Sequence, residues 1–406
     1  MLPDPYTPGE VPRVLIGRET ELRRIRDRIS RVATFGEMGG PLLVFHAPRG
    51  LGKTSLMRTA QQQAVEVGCV CVWVACSRER PFLPELAHAV DRALGRAGVT
   101  TATADRRRWR DRLERISLEL GVPGAKIKGE VDTSRTSPAG QVAVEPPEAA
   151  DRAPIGALED LLHAAATLAR GRFGAGLIVF LDELHAAAAD DLSILLNAAQ
   201  NLAGEREDHP LAIVTAGLPV IPEAITRAAT FGERSAFIAL DVLSDEDARA
   251  LLTEPAGALE VEWAPDALDR VADECRGHPY LLQLIGSATW RAADPAASST
   301  LTLADVRRGI PEAQGQLDAM YRARWGAATV AERNFLRAMA QVASAAQSSN
   351  VTRKAIAGRL GVDTRALSVP RESLIEKGII EPVGHGLVRF TLPGFAAYAR
   401  DRAPSE

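Results

Sequence analysis

Two textures of apolar and polar positions alternate along the first 240 residues. Short runs in which nearly every residue is apolar occur at Leu42–Phe45, Cys69–Ala75, Leu177–Leu181, Leu211–Thr215 and Ala236–Leu240. Longer stretches with apolar residues at helical spacing separate them. A short apolar run bounded by turn residues predicts a strand buried on both faces. Strands that alternate with helices predict an α/β fold, a parallel sheet in three layers.

Beyond Asp241 the strand signals stop. Ser244-Asp-Glu-Asp247 opens a helical run with a hydroxyl N-cap and acidic residues in the first turn, where they oppose the positive helix end. Helices are expected to about Trp325. Then Ala331–Val342 and Thr352–Leu360 read as helices, Gly361-Val-Asp as a turn, and Thr364–Lys377 as a third helix interrupted near Pro370. Two short strands around Gly384-His-Gly386 finish the unit. The pattern predicts three domains, 1–240, 241–327 and 328–406. Within the first, eight of the 33 residues from Gly121 to Ala153 are Gly or Pro, which marks an insertion. Alternation in Ala125–Asp132 and Gln141–Glu145 predicts a hairpin there, with Thr133–Gly140 at its tip.

The 406 residues are 46% hydrophobic and 25% charged, which excludes wholesale disorder and collagen-like repeats. No apolar run approaches the ~20 residues of a membrane-spanning helix. The N-terminus lacks a basic region followed by an apolar one. A cytoplasmic protein without membrane contact is expected. Cys69, Cys71, Cys76 and Cys275 lack the spacing of a zinc site and the density of a disulfide scaffold, and read as core residues. The chain carries a net −4, yet residues 330–406 hold 11 Lys/Arg against 7 Asp/Glu. Contact with a polyanion is therefore expected at the C-terminal end.

Ala47-Pro-Arg-Gly-Leu-Gly-Lys-Thr54 follows one predicted strand and opens a predicted helix, the setting in which a GxxxxGK[ST] loop cradles phosphates. Ala47 replaces the first Gly; Gly50 and Gly52 keep the close backbone approach. Pro48, Arg49, Gly50, Leu51, Gly52 and Ser55 surround the phosphates, Lys53 reaches the β and γ oxygens, and Thr54 ligates Mg²⁺. Leu177–Leu181 carries Asp182 and Glu183 out at its end. Asp182 holds Mg²⁺ through its water shell, and Glu183 orients and polarises the attacking water. ATP and Mg²⁺ are the expected cofactors.

With both motifs in place, the chain resembles the AAA+/STAND branch of P-loop ATPases, especially archaeal and bacterial relatives of origin-recognition proteins with a C-terminal winged helix. The resemblance implies a P-loop fold of the AAA+ kind, a helical lid and a winged helix. Val14-Leu-Ile-Gly-Arg-Glu-Thr-Glu-Leu22 looks like the family's opening motif, so Val14 and Ile16 would line the adenine pocket while Gly17 and Arg18 shape the turn. Thr215 lies where the family places its polar sensor on the strand beside the phosphate loop. Arg234 matches the position of an arginine finger acting on a neighbouring subunit, with Arg227 as its competitor. Gly277-His278-Pro279 is similar to the Gly-x-Pro motif of STAND lids; the arginine that initiators place on the following helix is absent.

The last 77 or so residues look like a winged helix. Arg365 and Arg371 on its second helix, Arg353 and Lys354 before it, and Arg389 in the wing are the candidate DNA contacts. Arg106–Arg110 reads as one solvated face of a mixed-charge helix. Two functions follow. One is an ATP-switched protein that self-associates through its nucleotide domain and binds duplex DNA through the winged helix. The other is a STAND-type signalling ATPase whose winged helix is autoinhibitory or binds a separate protein partner. A metabolic kinase is disfavoured, since no acceptor-substrate site is evident.

Overall fold

The five apolar runs form one parallel sheet: β1 (Leu43–His46), β2 (Val70–Ala75), β3 (Leu177–Asp182), β4 (Leu211–Gly217) and β5 (Ala236–Ala239). A computed structural model describes residues 2–99, 103–120, 147–205, 207, 209–384 and 386–402. The strand order is β2-β3-β4-β1-β5, so β1 leaves from within the sheet rather than its edge. Every residue of β3 is buried. Period-two alternation explains why: Ile178 and Phe180 face one layer, Leu177, Val179 and Leu181 the other. The first layer is α1 (Glu19–Ser30) and α2 (Lys53–Glu66). The second is α3 (Phe82–Arg96), α4 (Thr103–Glu119), α5 (Pro147–Phe173), α6 (Ala189–Gly204) and α7 (Ile221–Ala228). Full burial of a side chain such as Phe180 stabilises the sheet by about 1.5–3 kcal/mol.

The hairpin expected at 125–145 lies outside the described residues. α5 starts at Pro147, within the span expected as an insertion, and proline is compatible with a first helical turn. Arg107 and Arg110 are exposed, and Trp109 lies on a different, buried side of α4, where its indole N–H donates to Asp91 Oδ1 at 2.8 Å. Cys69, Cys71, Cys76 and Cys275 are free thiols, buried or half-buried.

A second apolar cluster is built from α8 (Asp245–Gly257), α9 (Pro265–Cys275), α10 (Pro279–Ala293) and α11 (Leu303–Gly326). Ser244 caps α8, accepting from the Asp247 N–H as its sequence implies. Two strands of two residues, β6 (Glu262–Trp263) and β7 (Thr300–Leu301), pair here although only helices were expected between Asp241 and Trp325. Two residues are too few to produce an alternation. The N-terminal segment also packs on this cluster. Tyr6 is buried, its hydroxyl donates to the Leu252 carbonyl at 2.6 Å, and the Trp263 indole N–H donates to it at 2.9 Å.

The third cluster comprises α12 (Val330–Ala346), β8 (Val351–Thr352), α13 (Arg353–Leu360), α14 (Ser368–Glu376), β9 (Ile380–Gly384), β10 (Leu387–Phe390) and α15 (Phe395–Arg400). The antiparallel order β8-β10-β9 with α13 and α14 beside it is a winged-helix arrangement. Two expectations need correcting. Pro370 does not interrupt the helix but lies in the first turn of α14, where its missing N–H is not required. The break falls earlier, so Arg365 belongs to a separate 3-10 turn, Thr364–Leu367, and not to α14. Among the described residues no helix is long and apolar enough to cross a membrane.

The winged helix touches the segment that follows β4. Gly378, just after α14, has φ +66°, and a Cβ there would meet Leu218 Cδ1 at 3.1 Å. Val220 packs against the third cluster, and Arg78 lies 3.5 Å from Glu376.

Candidate nucleotide-binding site

The chain leaves β1 into a loop whose geometry depends on glycine. Gly50 and Gly52 both take φ +86°, a left-handed backbone that a Cβ resists. At Gly50 a Cβ would also come within 2.7 Å of His278 Cε1. Gly52 is the N-cap of α2, so the helix directs its free N–H groups into the loop. The Lys53 amine donates to the carbonyls of Ala47 at 2.8 Å and Pro48 at 2.9 Å. Burial brings Lys53 down to about 8, against the opposing pull of Glu183 and Asp182.

Thr54 and Asp182 meet at the end of β3: the Thr54 hydroxyl donates to Asp182 Oδ2 at 2.6 Å, and the Glu183 N–H to Asp182 Oδ1 at 2.9 Å. Glu183 has φ +53°, an uncommon conformation for a residue with a side chain. Its carboxylate lies 3.6 Å from Arg49 and 3.6 Å from His185 Nε2. His185 accepts the Leu218 N–H at Nδ1, 3.3 Å away. Burial first, then the Arg49, Lys53 and Arg78 charges, hold His185 down near 4, so its neutral ring carries the proton on Nε2, facing Glu183.

A cleft of about 520 Å³ opens over this loop. Arg49 through Ser55 and Glu183 line its phosphate end, Val14, Ile16 and Arg18 one wall, and Pro279 the lid side. Arg18 is buried and donates to the carbonyls of Leu51 at 3.2 Å and Asp241 at 2.5 Å, tying the opening motif to the loop. Pro48 contributes through its carbonyl, and Asp182 through Thr54. His278 is placed differently: it is buried against Gly50 rather than in the cleft, and Tyr280 donates its N–H to the Gly50 carbonyl at 3.3 Å.

Two predicted residues are not brought together with these groups. The Thr215 hydroxyl donates to the Leu43 carbonyl at 3.3 Å from a fully buried position within the sheet. Arg234 is exposed at the end of the 3-10 turn before β5. Sequence reasoning missed His185, Tyr280, Gln283 and Arg58, all of which line the cleft or touch its residues. Only His185, two positions beyond Glu183, carried a signal that could have found it.

The candidate DNA contacts divide. Lys354 and Arg365 are exposed, while Arg353 and Arg371 line a separate cleft of about 950 Å³ between the winged helix and the nucleotide domain. Arg389 is paired with Glu381 across the wing.

A glycine-shaped loop, a buried lysine at a helix start and a hydroxyl–carboxylate pair at the end of the adjoining strand define a P-loop nucleotide-binding protein. Residues 14–214 match the family model of the AAA ATPase domain. Residues 318–399 match a domain of unknown function (DUF8462). No curated protein matches the sequence. The Walker-type ATPase paby2304 of Pyrococcus abyssi is similar in fold, at 14% identity and a TM-score of 0.55, over 95% of this chain and 96% of that one. Cdc6p from Pyrobaculum aerophilum matches at 15% identity and a TM-score of 0.46, over 97% and 94%. Orc1 from Aeropyrum pernix, solved in complex with DNA, gives the same four values.

Proposed function

We propose that the protein is an Mg-ATP-binding and hydrolysing switch in which the state of the nucleotide sets whether the winged helix stays docked. One observation carries this: the Lys53 loop and Thr54, whose hydroxyl donates to Asp182 at 2.6 Å, line one cleft with Pro279 of the lid. The residues fit the cofactor. Gly50 and Gly52 give the left-handed turns of the loop, Gly52 with open space where a Cβ would sit, and Thr54 and Asp182 supply the oxygen ligands that suit Mg²⁺. When bound, Mg²⁺ would neutralise charge developing on the phosphates. Lys53 supplies a positive charge to the phosphates, Glu183 orients the attacking water, and Val14 and Ile16 flank the base. Arg234, exposed and remote from this chain's own loop, suits only a role on a neighbouring subunit's phosphates. Thr215 is a weaker candidate, since its hydroxyl already has a partner.

Duplex DNA is the ligand proposed for the winged helix after release, with Lys354, Arg365 and Arg371 on the phosphates. A specific observation favours the signalling alternative. Arg353 and Arg371 face the nucleotide domain, across a cleft shared with Asp190, Glu223 and Arg227. In this arrangement Arg371, Glu372 and Glu376 of α14 line that cleft. Fluorescence anisotropy of a labelled mixed-sequence duplex, in ATP and in ADP at two salt concentrations, separates the two. Salt-sensitive binding in one nucleotide only, lost in Arg365→Glu/Arg371→Glu, supports the DNA switch. No binding in either nucleotide at low salt refutes DNA as the ligand and makes a protein partner primary.

A further inference from the structure

His185 stands between the nucleotide cleft and the winged helix, and its two ring nitrogens face different ways. It lies in the 3-10 turn Leu184–Ala186, which follows Glu183, and its side chain is only 5% exposed. Nδ1 accepts the Leu218 N–H at 3.3 Å. A ring nitrogen that accepts carries no proton, so the imidazole is neutral and its one N–H is at Nε2. That N–H lies on the side of Glu183, with 3.6 Å between Nε2 and Oε2. The same residue lines the cleft of about 950 Å³ shared by the nucleotide domain and the winged helix.

Glu183 needs a fixed partner. A glutamate side chain has several rotamers, and only some direct a carboxylate oxygen at an attacking water. Arg49 also lies 3.6 Å from Oε2, but its side chain is 56% exposed, and such pairs are weak and screened by solvent. The buried imidazole, tied to the Leu218 backbone, is the rigid neighbour. Both neighbours sit on Oε2, while among the described residues Oε1 has no hydrogen-bond or ion-pair partner, which leaves it for the water. The 3.6 Å contact is longer than a hydrogen bond, as catalytic pairs often are before substrate closes on them.

Leu218 connects this pair to the winged helix. It follows β4 directly and is fully buried, and its Cδ1 would lie 3.1 Å from a Cβ at Gly378. We propose that His185 is a positioning residue for Glu183 and that the docked winged helix sets it through Leu218. The inference rests on the hydrolysis proposed above, in which Glu183 orients the water. While the winged helix is docked, Leu218 holds the imidazole and the imidazole holds Oε2. When it leaves, Leu218 loses its packing against Gly378, and the ring and the carboxylate lose their common orientation. Undocking therefore slows hydrolysis. His185 is not a wall of the nucleotide cleft, so its loss acts on turnover rather than on ATP binding.

The test measures kcat and KM for Mg-ATP hydrolysis by the full chain in His185→Asn, His185→Gln and Gly378→Asn. Asparagine can place an amide oxygen where Nδ1 accepts but is too short to reach Glu183; glutamine can place an amide N–H where Nε2 donates. His185→Asn is expected to lower kcat about tenfold with KM changed less than about twofold, and His185→Gln to recover most of that loss. Gly378→Asn tolerates the left-handed backbone and sets bulk against Leu218; it is expected to lower kcat about fivefold in the wild type and not at all beside His185→Asn. An unchanged kcat in folded His185→Asn, a loss confined to KM, or an equal effect of Gly378→Asn in both backgrounds overturns the proposal. Where His185→Asn fails to fold, an unchanged kcat in folded Gly378→Asn overturns it. Wild-type protein that does not hydrolyse ATP, or Glu183→Gln turning over at the wild-type rate, instead refutes the hydrolysis assignment itself.

Discussion

Lys53 makes nucleotide affinity a function of pH. In the free protein its ammonium is buried on two carbonyl oxygens, and burial has lowered its pKa from 10.5 to about 8. A bound triphosphate favours the charged form and raises the value again. Binding therefore takes up a proton wherever free Lys53 is deprotonated, about a tenth of a proton at pH 7 and about nine tenths at pH 9. The affinity should fall about tenfold between those pH values, or ~1.4 kcal/mol. The same shift acts on folding with a defined sign. Between about 8 and 10.5 the unfolded chain binds more protons at this position, so the nucleotide-free fold gains stability from Lys53 as pH rises. Calorimetric titration of ATP at constant ionic strength, in buffers of different ionisation enthalpy, measures both affinity and proton uptake. Lys53→Arg, which stays charged, should flatten the profile. A flat profile in the wild type, with no proton uptake at pH 9, would refute the reasoning.

Further outcomes follow from particular contacts. Gly277→Ala should destabilise the protein by more than about 2 kcal/mol in urea unfolding. Gly277 has φ +70°, and a Cβ would lie 2.2 Å from the Leu243 carbonyl; Gly257→Ala, where nothing lies within 4 Å, should cost nothing. Tyr6→Phe should cost about 1 kcal/mol, since it removes the hydroxyl bonded to Leu252 while the Trp263 indole keeps its own 3.1 Å bond to that carbonyl. Arg78→Ala should leave the winged helix docked, because the exposed pair with Glu376 is worth under about 1 kcal/mol. Leu218→Asp should undock it, and an unchanged radius of gyration in solution scattering would count against that contact.

The sheet was legible because each strand is a short, nearly all-apolar run bounded by turns, and the observed strands fall within two residues of those runs. The phosphate loop was legible because its chemistry is local: the glycines, Lys53 and Thr54 are consecutive, and one strand delivers Asp182 and Glu183. What could not be read depends on distant parts of the chain. α15 has six residues, too few for a helical period, and is held by Phe395, which packs against Tyr321, Phe390 and Tyr398. Tyr6 joins the lid through Leu252 and Trp263, which are more than two hundred positions away. Thr215 has the residue type and strand position expected of a sensor, but its hydroxyl is held by a carbonyl of the neighbouring strand. The orientation of Arg371 follows from how the winged helix docks, which no local pattern encodes.

Phosphate release from ATP by the full chain, with and without Mg²⁺ and alongside Lys53→Ala and Glu183→Gln, is the most direct test of the nucleotide switch. Slow Mg²⁺-dependent release should be seen in the wild type and fall at least about a hundredfold in Glu183→Gln, which should still bind ATP. Lys53→Ala should lose binding as well. Wild-type protein that neither binds nor hydrolyses ATP in Mg²⁺, or Glu183→Gln turning over at the wild-type rate, would contradict it.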